Sequence, residues 1–117
     1  MNVRIESARR PVGRVSLADV REKKLIRVPH PPFDVLVVWV EGRVLAIEDA
    51  CNHAGASLAE GWLEGDCVVC PMHGYAFELA SGKLVRPKGL CGPQRTFDVE
   101  IEGDEVVVYD AFELALV

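Results

Sequence analysis

Cys51-Asn52-His53-Ala54-Gly55-Ala56-Ser57-Leu58 and Cys70-Pro71-Met72-His73-Gly74-Tyr75-Ala76-Phe77, with sixteen residues between His53 and Cys70, are the stretches on which the reading of this chain turns. Each joins one thiol to one imidazole, and each has a glycine within two residues of its histidine. Thiolate and imidazole together suit zinc, copper or an iron–sulfur cluster. Zinc sites usually space their first two ligands by two to four residues. Here a single residue separates Cys51 from His53, and the order is Cys-His-Cys-His rather than Cys-Cys-His-His. A set that alternates in this way can serve two metal atoms, with each loop giving its thiolate to one and its imidazole to the other.

Outward from these loops the chain reads as short strands joined by turns. Leu25 to Val28 is expected as a strand that ends at Pro29-His30-Pro31-Pro32, because proline removes donors and fixes φ. Val35 to Val40 (Val-Leu-Val-Val-Trp-Val) carries the strongest strand signal, five of its six residues being β-branched or aromatic. Glu41-Gly42 then turns the chain into Val44 to Ile47 as a hairpin partner. Cys67 to Cys70, Tyr75 to Leu79, Thr96 to Ile101 and Glu105 to Tyr109 follow as further strands. Ser16 is placed as the cap of a single helical turn over Ser16 to Asp19. Ala111 to Val117 is left as a short helix or a packed tail. No helix is long enough to cover a parallel sheet, so the expected fold is all-β, with small antiparallel sheets in a single domain over residues 1–117.

Composition narrows the function classes. The chain has 117 residues, 13 Lys plus Arg against 18 Asp plus Glu, and a net charge near −5. Such a surface disfavours nucleic acid, whose binding needs phosphate neutralisation. No run reaches the 18 apolar residues that would suggest a membrane span, and Met1 to Arg10 is polar and basic, so neither a membrane nor a secretory signal is expected. With cysteines read as free, the expected location is the cytoplasm.

The two boxes resemble the cluster-binding motifs of Rieske [2Fe–2S] ferredoxins, and Gly61 and Gly82 fit the same pattern. The resemblance implies one [2Fe–2S] cluster, with Cys51 and Cys70 on an inner iron and His53 and His73 on an outer one. It also implies that the Gly92-Pro93 region covers the cluster. High-potential members of that family carry an extra cysteine in each box, joined as a disulfide, and a serine two residues beyond the second histidine. The matching positions here are Ala56, Met72 and Tyr75. A low-potential centre is therefore expected, since fewer donors to the cluster sulfurs stabilise the added electron less.

The remaining residues offer no catalytic set. His30 is the only histidine outside the boxes, so a second iron site of two histidines and a carboxylate cannot be assembled. Cys67 reads as a small buried hydrophobe, Cys91 as a free thiol in a third loop, and Trp62 and Phe77 as wedges between the loops and the main sheet. The leading expectation is a one-electron carrier, not itself an enzyme, between a flavin-dependent reductase and a terminal oxygenase. The boxes and length also resemble the small subunit of an assimilatory NAD(P)H nitrite reductase. The third reading is a zinc- or cluster-stabilised interaction domain without a redox role.

Overall fold

The computed structural model describes residues 6–32, 34–52, 55–87 and 92–114. In chain order these form β1 (Glu6–Ser16), α1 (Leu17–Lys23), β2 (Leu25–Val28), β3 (Val35–Val40), β4 (Arg43–Glu48), a 3-10 turn (Leu58–Glu60), β5 (Trp62–Glu64), β6 (Cys67–Val69), β7 (Ala76–Glu78), β8 (Leu84–Arg86), β9 (Thr96–Glu102) and β10 (Glu105–Leu114). The strands make two antiparallel sheets: six strands in the order β1-β10-β9-β4-β3-β2, and four in the order β5-β6-β7-β8.

Strand β3, next to the β2 edge, explains why two sheets pack as they do. Its near-continuous apolar sequence is what a strand buried on both faces requires. Val35 and Val37 point into one core with Val28, Val44, Ala46, Phe97, Val106 and Val108. Leu36, Val38 and Val40 point the other way, into a second core with Ile47, Leu58, Val68, Phe77 and Leu79. β4 alternates in the same sense, Val44 and Ala46 on one side and Ile47 on the other. The second core is the interface on which the four-stranded sheet sits, and it contains both Cys51 and Cys70.

The first core is closed by curvature of the six-stranded sheet. β1 and β2 are its two edges, yet a Cβ on Gly13 of β1 would lie 2.4 Å from Val28 Cγ1 of β2. The edges therefore meet, and curling removes part of the exposed-edge liability. Helix α1 bridges them, burying Leu17 and Val20. Ser16 caps it as expected, its Oγ accepting the Asp19 N–H at 3.3 Å. The helix runs on to Lys23, where Lys24 takes φ 70° and its N–H returns to the Val20 carbonyl.

Four expectations are corrected. β1, β5 and the short β8 are strands that the sequence reading did not place; Trp62 to Glu64 falls where a loop over Asp49 to Leu63 and a turn from Glu64 are expected, and it forms by pairing with β6. Ala111 to Leu114 is neither helix nor tail: it extends β10 and pairs with Glu6 to Arg9. The hairpin at Glu41-Gly42 lies where it was read, and the expected strands from Thr96 and from Glu105 pair antiparallel as β9 and β10.

Candidate metal centre

The two Cys/His loops share one backbone design. In the first, the Cys51 N–H donates to the Ala56 carbonyl at 2.8 Å and the Gly55 N–H donates to the Cys51 carbonyl at 2.6 Å. In the second, the Cys70 N–H donates to the Tyr75 carbonyl at 2.7 Å and the Gly74 N–H to the Cys70 carbonyl at 3.0 Å. The offsets are identical, and both glycines sit at φ +74°, a left-handed conformation that costs any other residue energy. Each loop is thus a closed ring that folds back on its cysteine. Both thiols are inside, Cys51 2% and Cys70 0% exposed, and neither is in a disulfide. His73 is exposed on the turn of the second loop, its ring 6.5 Å from that of Tyr75. His53 and Ala54 lie outside the described residues. A cleft of about 340 Å³ lined by Ala56, Glu60, Pro71 and Met72 opens where the loops face each other.

Three devices set the loops in place. Asp49, 3% exposed, accepts from Ser57 Oγ at 2.6 Å and from the Ala59 N–H at 2.9 Å. It thereby ties the residue two before Cys51 to the 3-10 turn that leaves the loop. Gly61 is required by contact: a Cβ there would lie 1.8 Å from the Val69 carbonyl oxygen. Gln94, 3% exposed, accepts the Asn52 N–H at 2.8 Å and donates through Nε2 to the Glu48 and Ala50 carbonyls at 2.8 and 2.6 Å. The Asn52 amide in turn donates to the Gly92 and Pro93 carbonyls, so the Gly92-Pro93 segment does abut the first loop. Asp49, Asn52 and Gln94 escaped the sequence reading. The nearest local signal is the capping pattern Ser57-Leu58-Ala59-Glu60, but Ser57 gives that turn no side-chain cap bond and spends its hydroxyl on Asp49.

Other sequence expectations separate. Phe77 is fully buried in the second core, as read, but Trp62 is 47% exposed. Three-residue β5 alternates, and its inward position is Leu63. Trp62 instead donates its indole N–H to Glu64 at 2.7 Å, and this bond, with Arg86, holds the Glu64 carboxyl below its usual range. Cys67 is half-buried rather than part of either core. Burial first, then Asp66 beside it, pushes its thiol up to about 11. His30 stands apart on the first core, edge-on to Phe97 and 3.5 Å from Asp110. Cys91 lies outside the described residues.

The donor chemistry fits a [2Fe–2S] cluster of mixed ligation. Both thiols are sequestered in one apolar core while His73, on the loop of Cys70, is exposed, the asymmetry expected of thiolate-held and imidazole-held irons. Comparison with known proteins agrees. The Rieske [2Fe–2S] domain model matches residues 11–98. The ferredoxin component of biphenyl 2,3-dioxygenase from Rhodococcus jostii (strain RHA1) is 39% identical over 93 residues, 80% of this chain and 86% of that protein. A chain in the complex of reduced oxygenase and oxidized ferredoxin of carbazole 1,9a-dioxygenase superposes with TM-score 0.74 at 33% identity, covering 86% of this chain and 91% of that one. A nitrite reductase (NADPH) small-subunit structure superposes with TM-score 0.68 over 86% and 97% of the two chains; at 19% identity it shares the fold. The paired loops, the buried thiols and the family match converge: the chain belongs to the Rieske [2Fe–2S] domain family.

Proposed function

We propose that this chain is a single-domain, one-electron carrier that passes electrons to a terminal oxygenase, using one [2Fe–2S] cluster held by Cys51, His53, Cys70 and His73. The observation that carries the ligand set is the duplicated loop, with equal hydrogen-bond offsets and both cysteines buried together. Bound there, the cluster supplies a one-electron couple whose potential its ligands and surroundings tune. Cys51 and Cys70 hold the buried side. His73, with His53, holds the side nearest a partner, and exposed Pro71 and Met72 flank it.

The oxygenase partner is supported by relatives that are ferredoxin components of dioxygenases, one of them seen in complex with its oxygenase. A flavin-dependent reductase as electron donor and a cytoplasmic location complete the reading. Among the described residues no helix is long and apolar enough to cross a membrane. The likeness to a nitrite reductase subunit is one of fold and favours no second reading. The protein is an electron-transfer component rather than an enzyme in its own right, as its ferredoxin relatives are.

The centre is of low potential, because Ala56, Met72 and Tyr75 stand where high-potential relatives have two cysteines and a serine. Direct voltammetry at pH 7 tests this. The expected midpoint lies toward the bottom of the range of roughly −150 to +300 mV. A midpoint above about +100 mV, in the upper part of that range, would overturn it.

A further inference from the structure

Both cluster loops lead to one residue that is neither a ligand nor in either loop. Gln94 has spent its amide completely on the first loop. Oε1 takes the Asn52 N–H, and the two Nε2 protons go to the carbonyls of Glu48 and Ala50. Cys51 is therefore bracketed, with Gln94 bonded to the residue before it and the residue after it. The backbone of Gln94 reaches the turn beyond β7, the strand that follows the other loop. Its N–H donates to the Gly82 carbonyl at 2.7 Å, and the Gly82 N–H donates to the Glu78 carbonyl at 2.7 Å. Glu78 ends β7, the strand that leaves the Cys70–Tyr75 loop.

Gly82 is itself fitted to this contact. It sits at φ +77°, and a Cβ there would lie 2.0 Å from the Gln94 carbonyl oxygen. Asn52 closes the arrangement by donating to Gly92 and Pro93, just ahead of Gln94. No disulfide involves Cys51, Cys67 or Cys70, and this hydrogen-bonded path runs from the backbone on either side of Cys51 to the end of the strand that leaves the second loop.

We propose that Gln94 is a positioning residue: a buried amide that braces the first cluster loop through Asn52 and Ala50 against the end of the strand leaving the second loop, through Gly82, and so helps to set the ligand geometry. The inference rests on the cluster site proposed above. Leucine at 94 keeps the bulk but strands the Asn52 N–H and two carbonyls in a buried place, where each unmade bond costs on the order of 1–3 kcal/mol. Partners that orient metal ligands typically change metal affinity 10–100-fold when lost.

The test uses the cluster-loaded protein and three variants: Gln94→Leu, Gly82→Ala and Val106→Ala. Gly82→Ala removes no hydrogen-bonding atom and pushes on the Gln94 backbone from the far side. Val106 is buried in the first core, away from both loops. The readouts are hydrogen exchange in the segment 49–58, iron release to a chelator, and the electron paramagnetic resonance spectrum of the reduced protein. Gln94→Leu and Gly82→Ala are each expected to speed exchange in 49–58 and iron release by about tenfold or more and to alter the spectrum. Val106→Ala should lower the melting temperature and leave all three as in the parent. Should Gln94→Leu not fold, Gly82→Ala decides alone. Exchange and iron release at the parental rates in the variants would overturn the proposal, as would Val106→Ala reproducing the changes. A parent protein that takes up no iron would refute the cluster reading instead, and the exchange comparison would still decide the tie.

Discussion

Replacing Gly61 with alanine should be among the most damaging single-methyl additions in this protein, and the structure gives the reason. The φ of Gly61 is −87°, so handedness carries no penalty. The obstacle is contact: the new Cβ would lie 1.8 Å from the Val69 carbonyl oxygen, 3.0 Å from its carbon and 3.2 Å from the Leu58 carbonyl oxygen. These are backbone atoms, which cannot swing aside as a side chain can. The chain at β5 and β6 must part by more than an ångström. That sacrifices the Gly61 N–H bond to Leu58 and the Trp62–Val69 pairing, at about 1 kcal/mol each. It also loosens fully buried Leu58, for about 1 kcal/mol more. The total is about 3 kcal/mol, a substantial share of the roughly 5–15 kcal/mol that stabilises a domain. For a domain of this size it corresponds to a melting temperature lower by about 10–15 °C. Gly65→Ala is the control. It sits at φ +60° with no atom within 4 Å of the new Cβ, so only the left-handed backbone is penalised, by about 1 kcal/mol. Thermal unfolding of both variants at one scan rate decides the matter. A Gly61→Ala protein melting within about 3 °C of the parent, well short of the expected drop, would refute the contact argument, as would a Gly65→Ala protein that melts lower still.

His73→Ala should abolish the visible absorption of the cluster, while His30→Ala, which touches Phe97 and Asp110 rather than either loop, should leave it intact; an unchanged spectrum in the first variant contradicts the ligand assignment. Cys67, its thiol held near 11, should be alkylated at pH 8 at least about tenfold more slowly than an ordinary exposed thiol, and parity in a mass-spectrometric time course would count against that environment. The sign for stability follows. Between the ordinary value of 9.0 and about 11 the native chain keeps a proton that the unfolded chain has lost. The thiol's contribution therefore falls as pH rises through that window, and Cys67→Ser should flatten this part of the stability profile. Asp49→Asn should cost less than Asp49→Ala, since an amide oxygen can still accept from Ser57 or Ala59, whereas alanine leaves both donors without it at about 1–3 kcal/mol; equal melting temperatures would refute that role.

What could be read from the sequence was whatever local chemistry decides. Val35 to Val40 is a strand in any context that buries both its faces, and the Glu41-Gly42 turn takes positive φ at both residues (50° and 78°) because the tight hairpin demands it. The two boxes announced themselves because metal ligation needs particular atoms at particular spacings. β1 was hidden because Arg9, Arg10, Pro11 and Gly13 give no strand pattern. It forms as the partner of β10, with its register broken between Pro11 and Gly13, where an edge strand tolerates the missing donor. The same pairing makes Ala111 to Leu114 a strand, a long-range event with no local signal. Trp62 misled because a large aromatic was assumed to be buried, whereas the alternation of β5 sends Leu63 inward. Gln94 was invisible for a different reason. A glutamine after Gly92-Pro93 reads as loop, and its importance arises only when folding brings residues 48, 50, 52 and 82 around it.

Coulometric reduction of the purified protein, followed by its visible spectrum and normalised to iron and sulfide content, tests the central claim most directly. The expected result is two irons and two sulfides per chain, and reversible uptake of one electron per chain. A chain that carries a single zinc ion, or that accepts no electron while holding its full complement of metal, would contradict it.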